Sequence, residues 1–69
     1  MRFNIYGRFQ IEVLREQGAW QAYRLEPGKR GKMDSVVIPA DLESEEIIFY
    51  LDDIFHELAG FGQSIEVLA

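Results

Sequence analysis

In the first fourteen residues Phe3, Ile5, Phe9, Ile11 and Val13 all fall on odd positions, and Gly7 completes the series. An unbroken period of two marks extended chain with one buried and one open face. It commits this chain to a sheet from its start. Two arrangements satisfy the pattern: residues 2–14 form one long strand bent at Gly7, or two strands joined by a turn there. A two-residue Gly7-Arg8 hairpin sets Ile5 opposite Gln10 and Phe3 opposite Glu12, mixing apolar with polar side chains on one face. The bent strand keeps both faces pure, and glycine suits a bulge or bend, so the bent strand is the expected form.

Glu16-Gln17-Gly18 reads as a three-residue hairpin loop with Gly18 in the left-handed position. That register pairs Arg15 with Ala19 and sets Ile11 opposite Tyr23 and Phe9 opposite Leu25. On the other face Leu14 meets Trp20, Glu12 meets Ala22 and Gln10 meets Arg24; a slip of one residue exchanges every partner. The stretch Glu26-Pro27-Gly28-Lys29-Arg30-Gly31-Lys32 reads as a loop, and Ser35-Val36-Val37-Ile38 as a short buried strand ended by Pro39. Asp41 or Ser44 can cap a helix running from about Leu42 to Ala59, with Glu43, Glu45 and Glu46 at its positive end. Gly60 is placed for a left-handed cap, with Phe61 folding back onto Phe55. Gln63 to Leu68 forms a last strand. The expected fold class is α+β: a small, mostly antiparallel four-stranded sheet in chain order β-β-β-α-β, with one helix packed on one face.

A chain of 69 residues supports one domain, residues 1–69, and a small core that needs help from packing or association. With no cysteine, disulfides, thiolate metal sites and a cysteine nucleophile are excluded. One Trp, three Tyr and five Phe make dense aromatic packing or self-association the expected remedy. The first residues lack the apolar stretch of a signal peptide, and no window approaches the roughly 18 apolar residues of a membrane span. A cytoplasmic protein with no membrane partner is expected.

Charge is divided as sharply as hydrophobicity. All seven Lys and Arg lie within residues 1–32, which hold three acids and so carry 7 − 3 = +4; residues 33–69 hold nine acids and no base, hence −9, and the sum is −5. Such asymmetry points to electrostatic recognition of a partner. The acidic total argues against duplex nucleic acid as the main ligand.

On the helix, Ile47, Leu51, Ile54 and Leu58 share one stripe, flanked by Ile48, Tyr50, Phe55 and Ala59, which is the core face. The opposite side carries Glu45, Asp52, Asp53, His56 and Glu57, with Phe49 in its middle. Phe49 ringed by acids is a candidate anchor for a basic partner with an apolar pocket. His56 has Asp52 and Asp53 within helical reach; with no further ligand evident from elsewhere in the chain, the group reads as a solvated ion pair, and no metal is expected. On the sheet the even positions Arg2, Asn4, Tyr6, Arg8, Gln10, Glu12 and Leu14 point outward, joined by Trp20, Ala22 and Arg24.

Tyr6, Arg8, Trp20, Arg24 and Leu14 therefore form the candidate sheet-face site. Tyr, Trp and Arg are the residues of protein interfaces, and a homodimer through this face hides Tyr6, Leu14 and Trp20. The same groups can stack unpaired bases and hold phosphates, so single-stranded nucleic acid is the runner-up ligand. Gly28 to Lys32 lacks the strand, helix and hydroxyl of a phosphate loop and reads as a solvated turn. Ser35, Ser44 and Ser64 are not placed beside His56, so no triad is supported; neither an enzyme nor a cofactor is expected.

The strand order, with an acidic helix after the third strand, resembles the small HicB-type antitoxin domains, which neutralise a basic RNA-cleaving toxin. The resemblance covers topology and the stretch from Ile38 to Leu58. The Asp-Gly hairpin and glycine-rich segment of that family are replaced here by Glu16-Gln17-Gly18 and Ile38-Pro39-Ala40-Asp41, so no functional residue carries over. The reading that emerges is a small non-enzymatic interaction module, with a protein partner that is either a second copy or foreign. It acts through the aromatic and arginine sheet face, the acidic helix, or both.

Overall fold

The opening alternation resolves into two strands, β1 (Arg2–Ile5) and β2 (Phe9–Glu16), in the computed structural model, which describes residues 1–68. The expected bent strand is therefore a hairpin. Its loop has three residues, not two, so odd positions still face odd ones: Phe3 opposes Ile11 and Ile5 opposes Phe9. Tyr6 and Gly7 take φ values of 55° and 74°, and the Arg8 N–H donates to the Ile5 carbonyl at 2.9 Å. The amino terminus extends the ladder, its ammonium donating to the Val13 carbonyl at 3.0 Å.

The second hairpin corrects the expected register by one residue. Its loop is Gln17-Gly18 alone, at φ 51° and 77°, and Glu16 pairs with Ala19 at the start of β3 (Ala19–Glu26). Positive φ at both central residues gives a turn whose twist matches that of the flanking strands. As a result Ile11 opposes Arg24, Val13 opposes Ala22 and Arg15 opposes Trp20. Since the side-chain period is two, this slip moves Trp20, Ala22 and Arg24 onto the face of Ile11 and Val13.

A strand also replaces the expected loop at 26–32. Pro27 presets φ at the first turn position and Gly28, at φ 76°, supplies the positive value at the second. Glu26 consequently pairs with Lys29, and β4 (Lys29–Lys32) closes onto β3. Conversely, Ser35 to Ile38 forms no strand: Val36 and Ile38 enter the core while Val37 points outward, and the segment packs onto the helix side of the sheet. The last strand, β5 (Ile65–Leu68), lies antiparallel to β1, and the sheet order is β4-β3-β2-β1-β5. The architecture is thus α+β, with one helix on an antiparallel sheet of five strands where four were expected.

The helix is shorter than its hydrophobic pattern suggests. Helix α1 spans Ile47–Phe55, with single 3-10 turns at Ser44–Glu46 and His56–Leu58 extending it at either end. Glu43 is the N-terminal cap in place of Asp41 or Ser44, its N–H bonded to the Glu46 carboxylate at 3.2 Å. Ile47 and Leu51 are fully buried, whereas Ile54 and Leu58 stay partly in solvent. The tightening to three residues per turn rotates Leu58 away from the stripe. Ala59 leaves the helix in extended conformation, so Gly60 makes no left-handed cap. Phe61 is wholly exposed, and Phe55 packs edge-to-face on Phe9, with ring centres 5.6 Å apart. No helix among the described residues is long and apolar enough to cross a membrane.

The core is a single cluster in which Phe3, Ile5, Ile11 and Val13 of the sheet meet Ile47 and Leu51 of α1. Two glycine substitutions separate the turn from the strand. Gly18 needs positive φ, and a Cβ there meets no atom within 4 Å, so Gly18→Ala carries backbone strain alone. Its expected cost is about 1 kcal/mol, a fall of roughly 4–8 °C in Tm for a domain this size. Gly31, with ordinary φ and equally open space, should accept Ala with no loss. Paired thermal melts check both.

Candidate functional site

The register decides where the sheet-face residues go, and four of the five lie on the covered side. Tyr6 is only 3% exposed, and its hydroxyl donates to the Asp52 carboxylate and lies 3.4 Å from the Asp52 backbone carbonyl. Burial first, then this bond and the carboxylate charge, push the Tyr6 phenol up from 10.0 to about 12. The Arg8 Nε donates to the Leu58 carbonyl at 2.7 Å, placing a cation at the negative end of the helix. Trp20 is half-buried and its Nε1 donates to the Leu42 carbonyl at 3.0 Å, while the Arg15 guanidinium lies 4.8 Å above its ring. Arg24 sits 4.6 Å over the Phe9 ring and 3.8 Å from Glu26. Leu14 alone keeps the expected outward position, opposite Gln21. An open aromatic and arginine face of that composition is not formed.

The face that is open holds a different set. Glu12 lies between Arg2, at 3.7 Å, and Arg30, at 2.9 Å. The Arg30 guanidinium covers the Tyr23 ring at 4.5 Å, and the Tyr23 hydroxyl donates to Glu16 at 2.6 Å. That hydrogen bond is the first cause of a raised Tyr23 phenol pKa. These residues went unseen as a group because Tyr23 joins Glu12 only in the two-residue register and Arg30 arrives only with β4. The signals that would have found them are Gln17-Gly18 and Pro27-Gly28, each a sufficient hairpin turn by itself.

Each Lys and Arg has an acceptor nearby in the chain. Arg2 and Arg30 pair with Glu12, Arg24 and Lys29 with Glu26, and Lys32 with Asp34. Arg8 and Arg15 donate to the carbonyls of Leu58 and Ala40. Against this, Asp41, Glu43, Glu45, Glu46, Asp53, Glu57 and Glu66 have no cationic partner among the described residues. Phe49 stands among them at 73% exposure, with Glu45, Glu46, Asp52 and Asp53 as its helical neighbours. His56 does not bridge Asp52 and Asp53 through their carboxylates: Asp52 holds Tyr6, and the His56 Nδ1 lies 2.9 Å from the Asp53 backbone carbonyl. No group of three potential metal ligands occurs among the described residues. What this surface can do chemically is present one exposed ring inside uncompensated negative charge.

Burial of the Tyr6 phenol, together with its bond to Asp52, makes stability depend on pH in the alkaline range. A phenol whose folded pKa exceeds its unfolded value contributes stability that is fully present below about 10 and lost as pH rises through about 12. Urea unfolding should therefore give constant stability up to about pH 10, then a decline that Tyr6→Phe makes shallower. At neutral pH the same variant should cost about 1 kcal/mol, since Asp52 is exposed and water can replace the lost donor.

No curated protein and no solved structure matches the chain. The family model described as "Domain of unknown function (DUF7661)" matches residues 1–67, and the chain belongs to that family.

Proposed function

We propose that this chain is a non-enzymatic protein-binding module whose contact surface is the outer face of α1. Phe49 is the anchor, and the carboxylates around it select a basic partner. The observation that carries the reading is the joint exposure of Phe49 and the unpaired state of its acidic surroundings. A ring that enters an apolar pocket supplies contact energy, while a ring of like charges supplies encounter rate and excludes acidic competitors.

A foreign partner fits better than a second copy. The bases of another copy already have carboxylate or carbonyl neighbours in their own chain, contacts with which this helix would have to compete. Single-stranded nucleic acid is less well supported, because Tyr6 and Trp20 are turned into the chain and no longer share an open face with Arg8 and Arg24.

A photo-crosslinking amino acid, p-benzoylphenylalanine, tests the reading when placed at position 49 and, as a control, at position 10 on the open sheet face. Irradiation in extracts of cells expressing the chain should yield an adduct from position 49 with a protein whose Lys and Arg outnumber its Asp and Glu. Adding Asp53→Lys should cut the yield about fivefold, the scale of one favourable charge contact. Adducts from position 10 alone, or with an acidic partner, would remove the helix face from consideration.

A further inference from the structure

The two edges of the sheet are defended unequally. β4 ends one side with Lys29, Arg30 and Lys32, all exposed, the usual protection of an edge against added strands. β5 ends the other side with Ile65, Glu66, Val67 and Leu68, a single charge in four residues, and among the described residues it pairs with β1 only. Val67 opposes Phe3 on the helix-facing side of the sheet yet remains 62% exposed. Glu66, on the other side, stands opposite Asn4 and has no cationic partner among the described residues. Phe61, just before β5, is wholly exposed.

We infer that β5 is a strand-docking edge that accepts one extended segment alternating apolar residues with Lys or Arg. A strand laid beside β5 hydrogen-bonds its free backbone groups, the mode by which sheets capture peptides. Alternation follows from the two faces: beside Val67 the added residue is apolar, and beside Glu66 it is cationic. The occupant is not a second copy of β5, which would set Glu66 in the field of another chain whose residues 33–69 hold nine acids and no base. The inference deepens the proposed function and rests on it, since the segment belongs to the same basic partner that meets Phe49.

The test uses the full chain labelled with 15N and, as probe, a blocked eight-residue peptide alternating Val and Lys. Binding should shift the amide signals of Ile65, Glu66, Val67 and Leu68 and slow their hydrogen exchange. A peptide with Glu in place of Lys should leave the spectrum unchanged. Val67→Lys and Glu66→Lys, both at exposed positions, should each retain a dispersed spectrum and weaken binding by about fivefold or more. Shifts confined to residues around Phe49 would overturn the edge and leave the helix reading standing. Shifts at neither place would sink both. Concentration-dependent shifts in β5 without peptide would show a second copy at the edge, and would overturn the inference equally.

Discussion

A nine-residue helix is too narrow for the sheet it must cover. A helix with its side chains is about 10 Å wide, whereas strands at about 4.8 Å spacing make this sheet roughly 20 Å across. The remaining width is filled by irregular chain between β4 and α1, which brings Val36 and Ile38 into the core. Irregular backbone carries carbonyls that no ladder satisfies, and each needs a donor from a side chain or from water. Side chains of the first hairpins and of α1 supply such donors: Arg15 bonds Ala40, Trp20 bonds Leu42 and Tyr50 bonds Val37. Arg8 does the same for Leu58 beyond the helix.

That constraint gives Trp20, Arg15 and Arg8 acceptors within the chain itself. Trp20, Arg15 and Arg8 each join an apolar body to a nitrogen donor, a combination that suits a sheet meeting loose backbone as well as it suits recognition. Their composition alone does not distinguish the two uses. Tyr6 makes the point most sharply: it holds positive φ in a turn, an uncommon state for an aromatic residue, and its hydroxyl ties that turn to α1.

The sequence made the fold class, the odd-numbered core of β1 and β2, the buried Ile47 and Leu51 and the exposed Phe49 legible, because each rests on hydrophobic periodicity. The two hairpins depart from expectation differently: the first replaces a bent strand by a three-residue turn, and the second has one loop residue fewer than expected. In the first, three loop residues preserve the pairing of odd with odd, so the core assignment survived. In the second, two loop residues reverse it, so Trp20 and Arg24 changed sides. Periodicity fixes which residues of one strand share a face; only the turn fixes how two strands are matched. β4 was hidden for another reason. Lys29-Arg30-Gly31-Lys32 has no apolar residue, and its pairing comes from the Pro27-Gly28 turn and from Glu26 beside Lys29.

With every base absorbed into the sheet and its flanks, and the unpaired acids concentrated on and around α1, the molecule behaves as an oriented dipole. A positively charged body diffusing nearby feels a torque before it feels contact, and the helix turns toward it. Within a Debye length, about 8 Å at physiological salt, that rotation narrows the angles of approach that must be searched at random. Under the proposed function, the separation of charge along the chain would aim one face at its partner, independent of any shape the partner presents.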